Sequence, residues 1–519
     1  MRNLRWVVIG LTFLMCGDVL AGNLGNRTNH SAEAIRSLHR SASKDVDAAV
    51  YNPAGTTFLK DGWHLGFGNQ FIIKSDTLTN NGIDYAANDP VLLYPNISAV
   101  YSFGDFAASL HFGVPSGGGS KHFKDGHPVF TAYGGRVANI ANSAVPGVAS
   151  GATVDGPASV KGTSQFIGLT LAGAYAPTDW FSFSIGGRVT MGSMKTVGNA
   201  TYKFELTETG TILADAFAND PTSAGYALSQ PVNIAVNSDA SAIGFSPLIS
   251  MHFVPLEGLD LTVQYIHQTN MNFTRTYPDC PAYAELEDGS ADISTNNDGI
   301  CANEEGVRDV SRLLYELETE GFDKGTVRTD IPAQLSLGAS YVVNDMVRVE
   351  GSFSYFFNKM AKWGVEPSPS SDNFGNPKGD LYTDGWETGL VVEVSVDDFL
   401  VSLGGMYAKM GSTHESLSFL FWNNDAVSVA TGATWQINES MTATLGVTFA
   451  RYLPTSSGDL RGTLAADAAL AGAQELVDSA TTAEETAAAE AAMQMAQTPF
   501  IIDYDWYALD IALGMTYSF

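Results

Sequence analysis

The sequence predicts an all-β fold: a transmembrane antiparallel β-barrel of about 14 strands, with an N-terminal helical hatch plugging the lumen. Apolar residues alternate with small or polar ones in segment after segment, short and long links follow each other in turn, and an export signal precedes them all. A closed barrel satisfies every backbone hydrogen bond within lipid. An even strand number with tight turns at one end and long loops at the other is typical of outer-membrane barrels.

The chain begins with a segment typical of an export signal. Arg2 and Arg5 form a basic start, and residues 6–15 form an apolar core too short to span a bilayer. Residues 19–21 then offer the small residues that a signal peptidase reads. We therefore predict a signal peptide over residues 1–21. No later segment has the roughly twenty apolar residues that a membrane helix needs.

The strong negative charge excludes nucleic acid as a partner. The formal net charge is −29, from 27 basic and 56 acidic residues. Removing Arg2, Arg5 and Asp18 with the signal leaves 25 basic and 55 acidic residues, a net charge of −30. Such a surface repels polyphosphates. The acids concentrate in predicted loops, whereas the alternating segments carry few charges.

Alternation identifies the strands, because successive side chains of a strand point to opposite faces. In the last segment every second residue from Tyr507 to Phe519 is large and apolar, and those between are small or polar. The same pattern recurs fourteen times. The segments begin near Trp63, Leu92, Phe106, Gln165, Trp180, Ala242, Leu259, Gln334, Met346, Gly385, Leu400, Ala426, Met441 and Tyr504.

The links and the C-terminus favour a barrel over an exported soluble β-sandwich. Short links such as residues 104–105 alternate with long ones such as 117–163, whereas sandwiches rarely show six short–long pairs in order. The aromatic ending Tyr517-Ser518-Phe519 looks like the signal that barrel-assembly machinery recognises. We expect that machinery, outer-membrane lipid and lipopolysaccharide as partners of a monomer without cofactor.

Two cysteines remain after the signal. Cys280 and Cys301 lie in one polar predicted loop, and exported proteins meet an oxidising compartment. We predict a disulfide between them in an extracellular loop. The alternative is two free thiols.

About forty residues between the signal and the first strand do not alternate. Residues 31–40 and 43–51 predict short helices with Ser at cap positions. The break Asn52-Pro53-Ala54-Gly55 follows, where proline ends the helix and glycine permits a left-handed turn. We predict that residues 22–61 form a small hatch inside the lumen and that residues 62–519 form the barrel.

The stretch AAVYNPAGTTFLKDG, with Asn52, Pro53, Ala54 and Gly55 at its centre, resembles the FadL family of outer-membrane transporters. The strand count, the export signal and the aromatic C-terminus agree with that resemblance, and the specific residue match covers residues 48–62. The resemblance implies uptake of hydrophobic compounds across the outer membrane of a Gram-negative bacterium. Long-chain fatty acids are the first expectation and aromatic hydrocarbons the second. It also implies that the motif belongs to a gating hatch.

Family members release ligands sideways at a kink in the third strand. Here the third predicted strand, residues 106–114, runs into Pro115-Ser116-Gly117-Gly118-Gly119. Proline removes a ladder hydrogen bond, and glycines weaken pairing and let the backbone bend. We predict that Pro115, Gly117, Gly118 and Gly119 form a lateral opening. The alternative is the flexible start of a loop.

One inward charge is a candidate for binding a ligand head group. Arg188 shares its predicted face with Ser184, Gly186 and Thr190, which are small, and its guanidinium could hold a carboxylate through forked hydrogen bonds. The alternative is an internal salt bridge to the hatch, for example to Asp45 or Asp47. Arg348 and Glu350 are predicted to form a similar lumen pair.

The sequence shows no catalytic motif, so we predict a non-enzyme. Residues 296–299 with Glu304 and Glu305 depart from EF-hand spacing, so we predict a solvated acidic turn, with a calcium loop as the alternative. Two other functions stay open. A general diffusion porin would show a charged lumen, whereas the predicted inward positions are mainly Gly, Ala, Ser and Thr. A lipid hydrolase would need a Ser beside a strand-borne His. The strand-end candidates His111 and His267 have no obvious partner in the sequence.

Overall fold

The computed structural model is a closed barrel of 14 antiparallel strands, labelled β1 to β14 in chain order. The residues described are 28–131, 134, 147–220, 223–276, 301–302, 308–309, 326–365, 382–417, 422–459, 474, 477, 486, 493 and 499–519. The strands are Gly62–Asn80, Val91–Phe103, Phe106–Phe123, Ser159–Thr178, Phe181–Leu206, Val232–Leu256, Leu259–Ile266, Gln334–Val342, Val347–Phe356, Gly385–Val396, Phe399–Lys409, Ala426–Asn438, Met441–Ser456 and Asp503–Ser518.

The ladder between β1 and β14 closes the barrel. It runs from His64–Ser518 to Thr79–Asp503, and each strand also pairs antiparallel with the next one along the chain. The tight turns, such as residues 104–105 and 257–258, lie at one end together with the chain terminus. We call this the short-turn end and the opposite one the long-loop end.

All fourteen predicted strands are present, and twelve begin within one residue of their predicted start. The other two begin earlier: β4 at Ser159 and β6 at Val232. β5 and β6 pair without interruption from Phe181–Phe253 to Tyr202–Val232. The β5–β6 pair therefore extends beyond the residues that alternate regularly. Hydrogen bonds to the neighbouring strand keep these additional residues extended, although their own sequence pattern does not predict a strand.

The outer face is apolar, as a membrane barrel requires. Large side chains such as Ile185, Ile243 and Leu403 are exposed on it. Rings line its short-turn end in a nearly continuous row, with centroids 4.9 Å apart for Trp63 and Tyr101 and 4.6 Å apart for Phe106 and Tyr175. Such aromatic girdles mark the interfaces of transmembrane barrels.

Among the residues that the structure describes, the helices are few and short. Helix α1 is Ala32–Ser37 and α2 is Ala48–Tyr51, both shorter than predicted, and a 3-10 helix spans Pro53–Phe58. Ser31 caps α1, since its hydroxyl accepts a hydrogen bond from the Ala34 amide, but the side chain at the N-cap of α2 makes no such bond. Loops add Glu208–Ala216, Ala224–Ser229, Asn358–Met360 and His414–Ser416, and strand segments Ile83–Ala87, Ala149–Val154, Asn272–Thr276, Cys301–Ala302, Arg308–Asp309, Thr326–Thr329 and Trp363–Val365.

Within the described part of the chain, no helix has the length and apolar character needed to cross a membrane.

Two predictions fall outside the described residues. The signal peptide over residues 1–21 is one of them. The Cys280–Cys301 disulfide is the other, because Cys280 is not described although Cys301 is. Both stay predictions.

Candidate functional site

Residues 28–61, here called the N-terminal segment, lie against inward side chains of the wall. The Asn52 amide donates to Nδ1 of His252 on β6 over 2.8 Å. Nε2 of His252 in turn lies 2.9 Å from Asp260 Oδ1 on β7, and the Lys44 ammonium reaches the same carboxylate oxygen at 2.9 Å. A buried polar chain thus ties the predicted gating motif to two wall strands.

The rest of the motif docks through its backbone. The Ala54 amide donates to Ser250 Oγ over 2.9 Å, and the Ala54 carbonyl accepts from Ser182 Oγ over 2.8 Å. At Gly55 an added Cβ would lie 2.3 Å from the Ser43 carbonyl oxygen, so only glycine fits there. The motif is therefore a docking element on β5 and β6; its role in gating stays a prediction.

The opposite wall holds helix α1. The last carbonyls of a helix lack partners within it. Here Ile35 O accepts from Thr448 Oγ1 over 2.6 Å, and Arg36 O accepts from Ser402 Oγ over 2.8 Å. Wall glycines make room for the segment. Added Cβ atoms would come within 3 Å of it at Gly338, Gly389, Gly404, Gly432, Gly446 and Gly514.

An ion-pair network fastens the same side. Arg36 Nη1 lies 2.7 Å from Glu393, and Arg348 bridges Glu393 and Glu350 at 2.5 and 2.7 Å. The Ala42 amide also donates to Glu350 over 2.9 Å. The predicted Arg348–Glu350 pair is confirmed, within a larger network. Charged side chains on the lumen face are more numerous than the sequence predicted. The charges of this network bind the N-terminal segment to the wall.

Arg40 engages both aspartates that were the alternative partners of Arg188. Its guanidinium pairs with Asp45 and, at 2.9 Å, with Asp47. Burial alone raises the pKa of the Asp47 carboxyl. Arg40 and nearby hydroxyls outweigh it and hold that pKa below its usual range. The salt bridge from Arg188 to Asp45 or Asp47 was therefore the wrong alternative.

Arg188 instead belongs to a row of polar residues across five strands. The ladder registers place Ser98, His111, Thr170, Arg188 and Ser246 side by side on β2 to β6. All five are buried on the lumen side. The N-terminal segment reaches this row, since the His30 and His111 rings lie 5.7 Å apart.

The guanidinium of Arg188 is left unsatisfied in this row. Among the described residues, its buried Nε and Nη2 atoms have no hydrogen-bond partner. Its aliphatic stem lies beside Gly168, where an added Cβ would be 3.3 Å from Arg188 Cδ and 2.9 Å from Pro115 Cγ. The predicted head-group residue and the predicted opening thus meet at one place in the wall.

Apolar side chains lie beyond Arg188 toward the long-loop end. Phe166, Met194, Met271 and Phe273 form a buried cluster. Gly192 makes space for it, because an added Cβ there would come 2.7 Å from the Phe273 ring. A cation thus lies beside a buried apolar cluster.

The predicted opening is an irregular stretch of β3. The strand continues through Pro115 to Phe123, so it is not the flexible start of a loop. Its ladder to β4 shifts twice: the six steps from Gly113 to Gly119 face only four steps, from Gly168 to Ser164. Gly117 and Gly119 have φ of 88° and 79°, values that favour glycine. Bulges of this kind bend a strand.

On its other side this stretch is not laddered to β2. The β2–β3 ladder runs from Phe103–Phe106 only as far as Ile97–Phe112. Pro95 follows on β2 and Pro115 on β3, and neither has an N–H to donate. The Tyr94 hydroxyl instead donates to the Val114 carbonyl over 3.0 Å. We call this interruption the β2–β3 gap. Pro95 was not predicted to interrupt the wall, although a proline within an alternating segment is a signal of broken pairing.

His111 has a partner that the sequence did not show. Ser98 Oγ lies 2.9 Å from His111 Nδ1, across the β2–β3 ladder. A hydrolase would also need a group that orients the imidazole through its other nitrogen. In the described part of the chain, His111 Nε2 has no hydrogen-bond partner. His267 lies 3.0 Å from the Tyr265 hydroxyl and is exposed.

No protein-family model matches the chain, and no curated protein matches its sequence. Solved structures do match its fold. A FadL homologue from Pseudomonas aeruginosa has 13% identity and a TM-score of 0.58, covering 96% of this chain and 100% of its own. The toluene transporter TodX from Pseudomonas putida has 12% identity and a TM-score of 0.51, covering 96% and 100%. The chain therefore has the fold of these FadL-like transmembrane barrels.

Proposed function

We propose that this protein takes up hydrophobic small molecules across the outer membrane of a Gram-negative bacterium, with long-chain fatty acids as its ligands. The observation that carries the proposal is the buried Arg188 guanidinium, unsatisfied beside a buried apolar cluster. A buried charge without a partner is costly. A bound carboxylate would supply that partner through two charge-assisted hydrogen bonds.

The apolar cluster suits contact with an alkyl chain. Phe166, Met194 and Phe273 would contact a chain whose head lies at Arg188. A larger apolar cluster, including Phe123, Tyr202 and Tyr504, continues toward the long-loop end. Sites for small apolar ligands combine an apolar lining with a few placed polar groups. This arrangement supports a ligand with one anionic end.

The exit would be sideways. The N-terminal segment docks on β5 and β6 and on the opposite wall, which opposes free diffusion toward the short-turn end. Pro115 borders both Arg188 and the β2–β3 gap. A ligand leaving Arg188 would therefore find interrupted pairing beside it, as lateral release requires. A general diffusion porin would instead need an open lumen.

An aromatic hydrocarbon is the second candidate, because TodX is named as a toluene transporter. A hydrocarbon offers nothing to the guanidinium, so Arg188 favours the fatty acid. Both would contact the same apolar cluster.

Binding measurements on the purified barrel would separate these ligands. We would compare a long-chain fatty acid, the matching fatty alcohol and toluene on the parent protein and on Arg188→Gln. Hydrogen bonds to a charged group contribute about 1.5–3 kcal/mol, so the acid should bind roughly 10–150-fold more weakly to the variant. The alcohol should be nearly unaffected. Arg451→Gln, which removes a half-exposed arginine paired with Asp505, is the matched control.

An equal loss of affinity for the acid and the alcohol in Arg188→Gln would show that Arg188 does not recognise the carboxylate head group. Toluene bound more tightly than the acid by the parent would overturn the fatty-acid assignment and favour aromatic hydrocarbons.

A further inference from the structure

One side chain fixes the part of β3 that is not laddered to β2. The Lys121 ammonium lies 3.0 Å from Asp76 Oδ1. It also lies 3.7 Å from the Trp422 ring centroid and 5.1 Å from that of Trp506. These groups come from β3, β1, the link between β11 and β12, and β14. One ammonium thus joins elements from both sides of β2.

The surroundings make this contact strong. Asp76 is 0% exposed, and both indole rings are buried. Away from water an ion pair and a cation–π contact gain strength, provided that the charges are matched. The acid and the ammonium match each other here, beside Trp422 and Trp506 of the apolar cluster at the long-loop end. Removing the ammonium would take this cation away from the fully buried Asp76 carboxylate.

Lys121 lies on the part of β3 that has no ladder to β2, so its pair with Asp76 affects where that part of the strand lies. β2 lies between β1 and β3, but its ladder to β3 ends at Phe112, nine residues before Lys121. The Lys121–Asp76 pair therefore ties the edge of β3 to β1 beyond the start of β2, where β1 itself pairs with Ile83–Ala87. At Gly119, two residues before Lys121, an added Cβ would lie 3.9 Å from Val91 Cβ on β2. The two edges are close there without being laddered.

We propose that Lys121 is a positioning residue for lateral passage. Its pair with Asp76, held between Trp422 and Trp506, sets where the edge of β3 lies and hence how wide the β2–β3 gap is. The ladder to β4 shifts register twice between Gly113 and Gly119, so it fixes the edge less firmly than a regular ladder would. The consequence for uptake rests on the proposed function, whereas the position of the edge does not.

Disulfide trapping measures the edge directly. The separation of 3.9 Å between the two Cβ positions suits a disulfide. Val91→Cys and Gly119→Cys would be combined with Cys280→Ser and Cys301→Ser, and the rate of oxidative cross-linking compared among Lys121 variants. Lys121→Met and Asp76→Asn should slow it by roughly fivefold, because the edge loses its anchor. Lys121→Arg keeps the cation and should restore the rate.

The matched control is Lys161→Met, which removes an exposed lysine from the neighbouring strand β4. It should cross-link like the parent. Heat-modifiable gel mobility and the two single-cysteine proteins check folding. An unchanged cross-linking rate in folded Lys121→Met would overturn the proposal.

Uptake of a labelled fatty acid is the second readout. It should fall in the same variants that cross-link slowly. Slow cross-linking with unchanged uptake would overturn the link between this pair and transport. A parent protein that takes up no fatty acid would overturn the proposed function, and the cross-linking comparison would still decide the role of Lys121.

Discussion

The side-chain amide of Asn52 donates to Nδ1 of His252, and both side chains are fully buried. Because Nδ1 accepts, the proton of the neutral ring lies on Nε2, which donates to Asp260. The first residue of the motif thus orients a wall histidine, and that histidine is held in turn by the next strand. This relationship makes the N-terminal segment part of the wall's hydrogen bonding.

Asn52→Ala should release the N-terminal segment without unfolding the barrel. The variant leaves His252 without its donor, a loss of about 1–3 kcal/mol for a buried polar group. Single-channel conductance in planar bilayers should rise, because the lumen loses part of its filling. Lys60→Ala, an exposed change at the end of the same segment, should conduct like the parent. Unchanged conductance of Asn52→Ala would argue against a docking role.

Gly446→Ala should displace helix α1. Its new Cβ would lie 2.6 Å from the Arg36 backbone nitrogen, which cannot move aside as a flexible side chain can. Overpacking of this kind costs about 1–3 kcal/mol. Gly173→Ala is the matched control, since nothing lies within 4 Å of an added Cβ there. Protease protection of residues 28–61 should drop only for Gly446→Ala, and equal protection in both would contradict the tight contact.

Arg188→Met should make the folded barrel more stable. Replacing an unpaired buried charge with an apolar side chain removes its desolvation cost, a gain of roughly 1–3 kcal/mol. Arg348→Met should do the opposite, because it removes the arginine paired with buried Glu350 and one of the two arginines paired with Glu393. Urea unfolding in lipid vesicles measures both. A less stable Arg188→Met would mean that the guanidinium has a partner in the unliganded protein.

Docking of the N-terminal segment should weaken in mild acid through His39. Burial lowers the pKa of His39 below its ordinary 6.5, although its bond to the Gly405 carbonyl opposes the shift. The docked state therefore has its full stability above about pH 6.5, and it loses stability as the pH falls from there toward the lowered pKa. Asp47 acts separately, below its ordinary 3.8.

Conductance measured between pH 7 and 5 checks this: it should rise in the parent and stay flat in His39→Gln. His39→Gln also loses the contact between His39 Nδ1 and Ser352 at every pH. The change in conductance with pH is therefore compared with that variant's own conductance at pH 7. The same rise in His39→Gln would assign the effect to other groups.

The sequence was enough to predict the wall because each strand carries its own signal. From Tyr507 to Phe519 the alternation alone predicts which face of the strand contacts lipid. The alternating short and long links predict that consecutive strands are antiparallel neighbours in the wall. The predicted starts of β4 and β6 lie several residues after the observed ones, because pairing with the neighbouring strand, rather than the local sequence pattern, extends these strands.

The site was less predictable because it depends on register. Alternation placed Arg188 on the lumen face of its strand. That it lies beside Thr170, and two strands from His111, follows only from the pairing register of β3, β4 and β5. Lys121 and Asp76 are likewise far apart in sequence. Pro95 was the exception, since a proline between Tyr94 and Asn96 could have been noticed in the sequence itself.

The central claim is that ligand leaves sideways through the β2–β3 gap, and a reversible cross-link tests it most directly. Val91→Cys with Gly119→Cys, in the background without Cys280 and Cys301, would join the two edges under oxidation and release them under reduction. Uptake of a labelled fatty acid by cells carrying this protein should stop when the disulfide forms and return when it is reduced. Uptake that continues in the fully cross-linked barrel would contradict the lateral route.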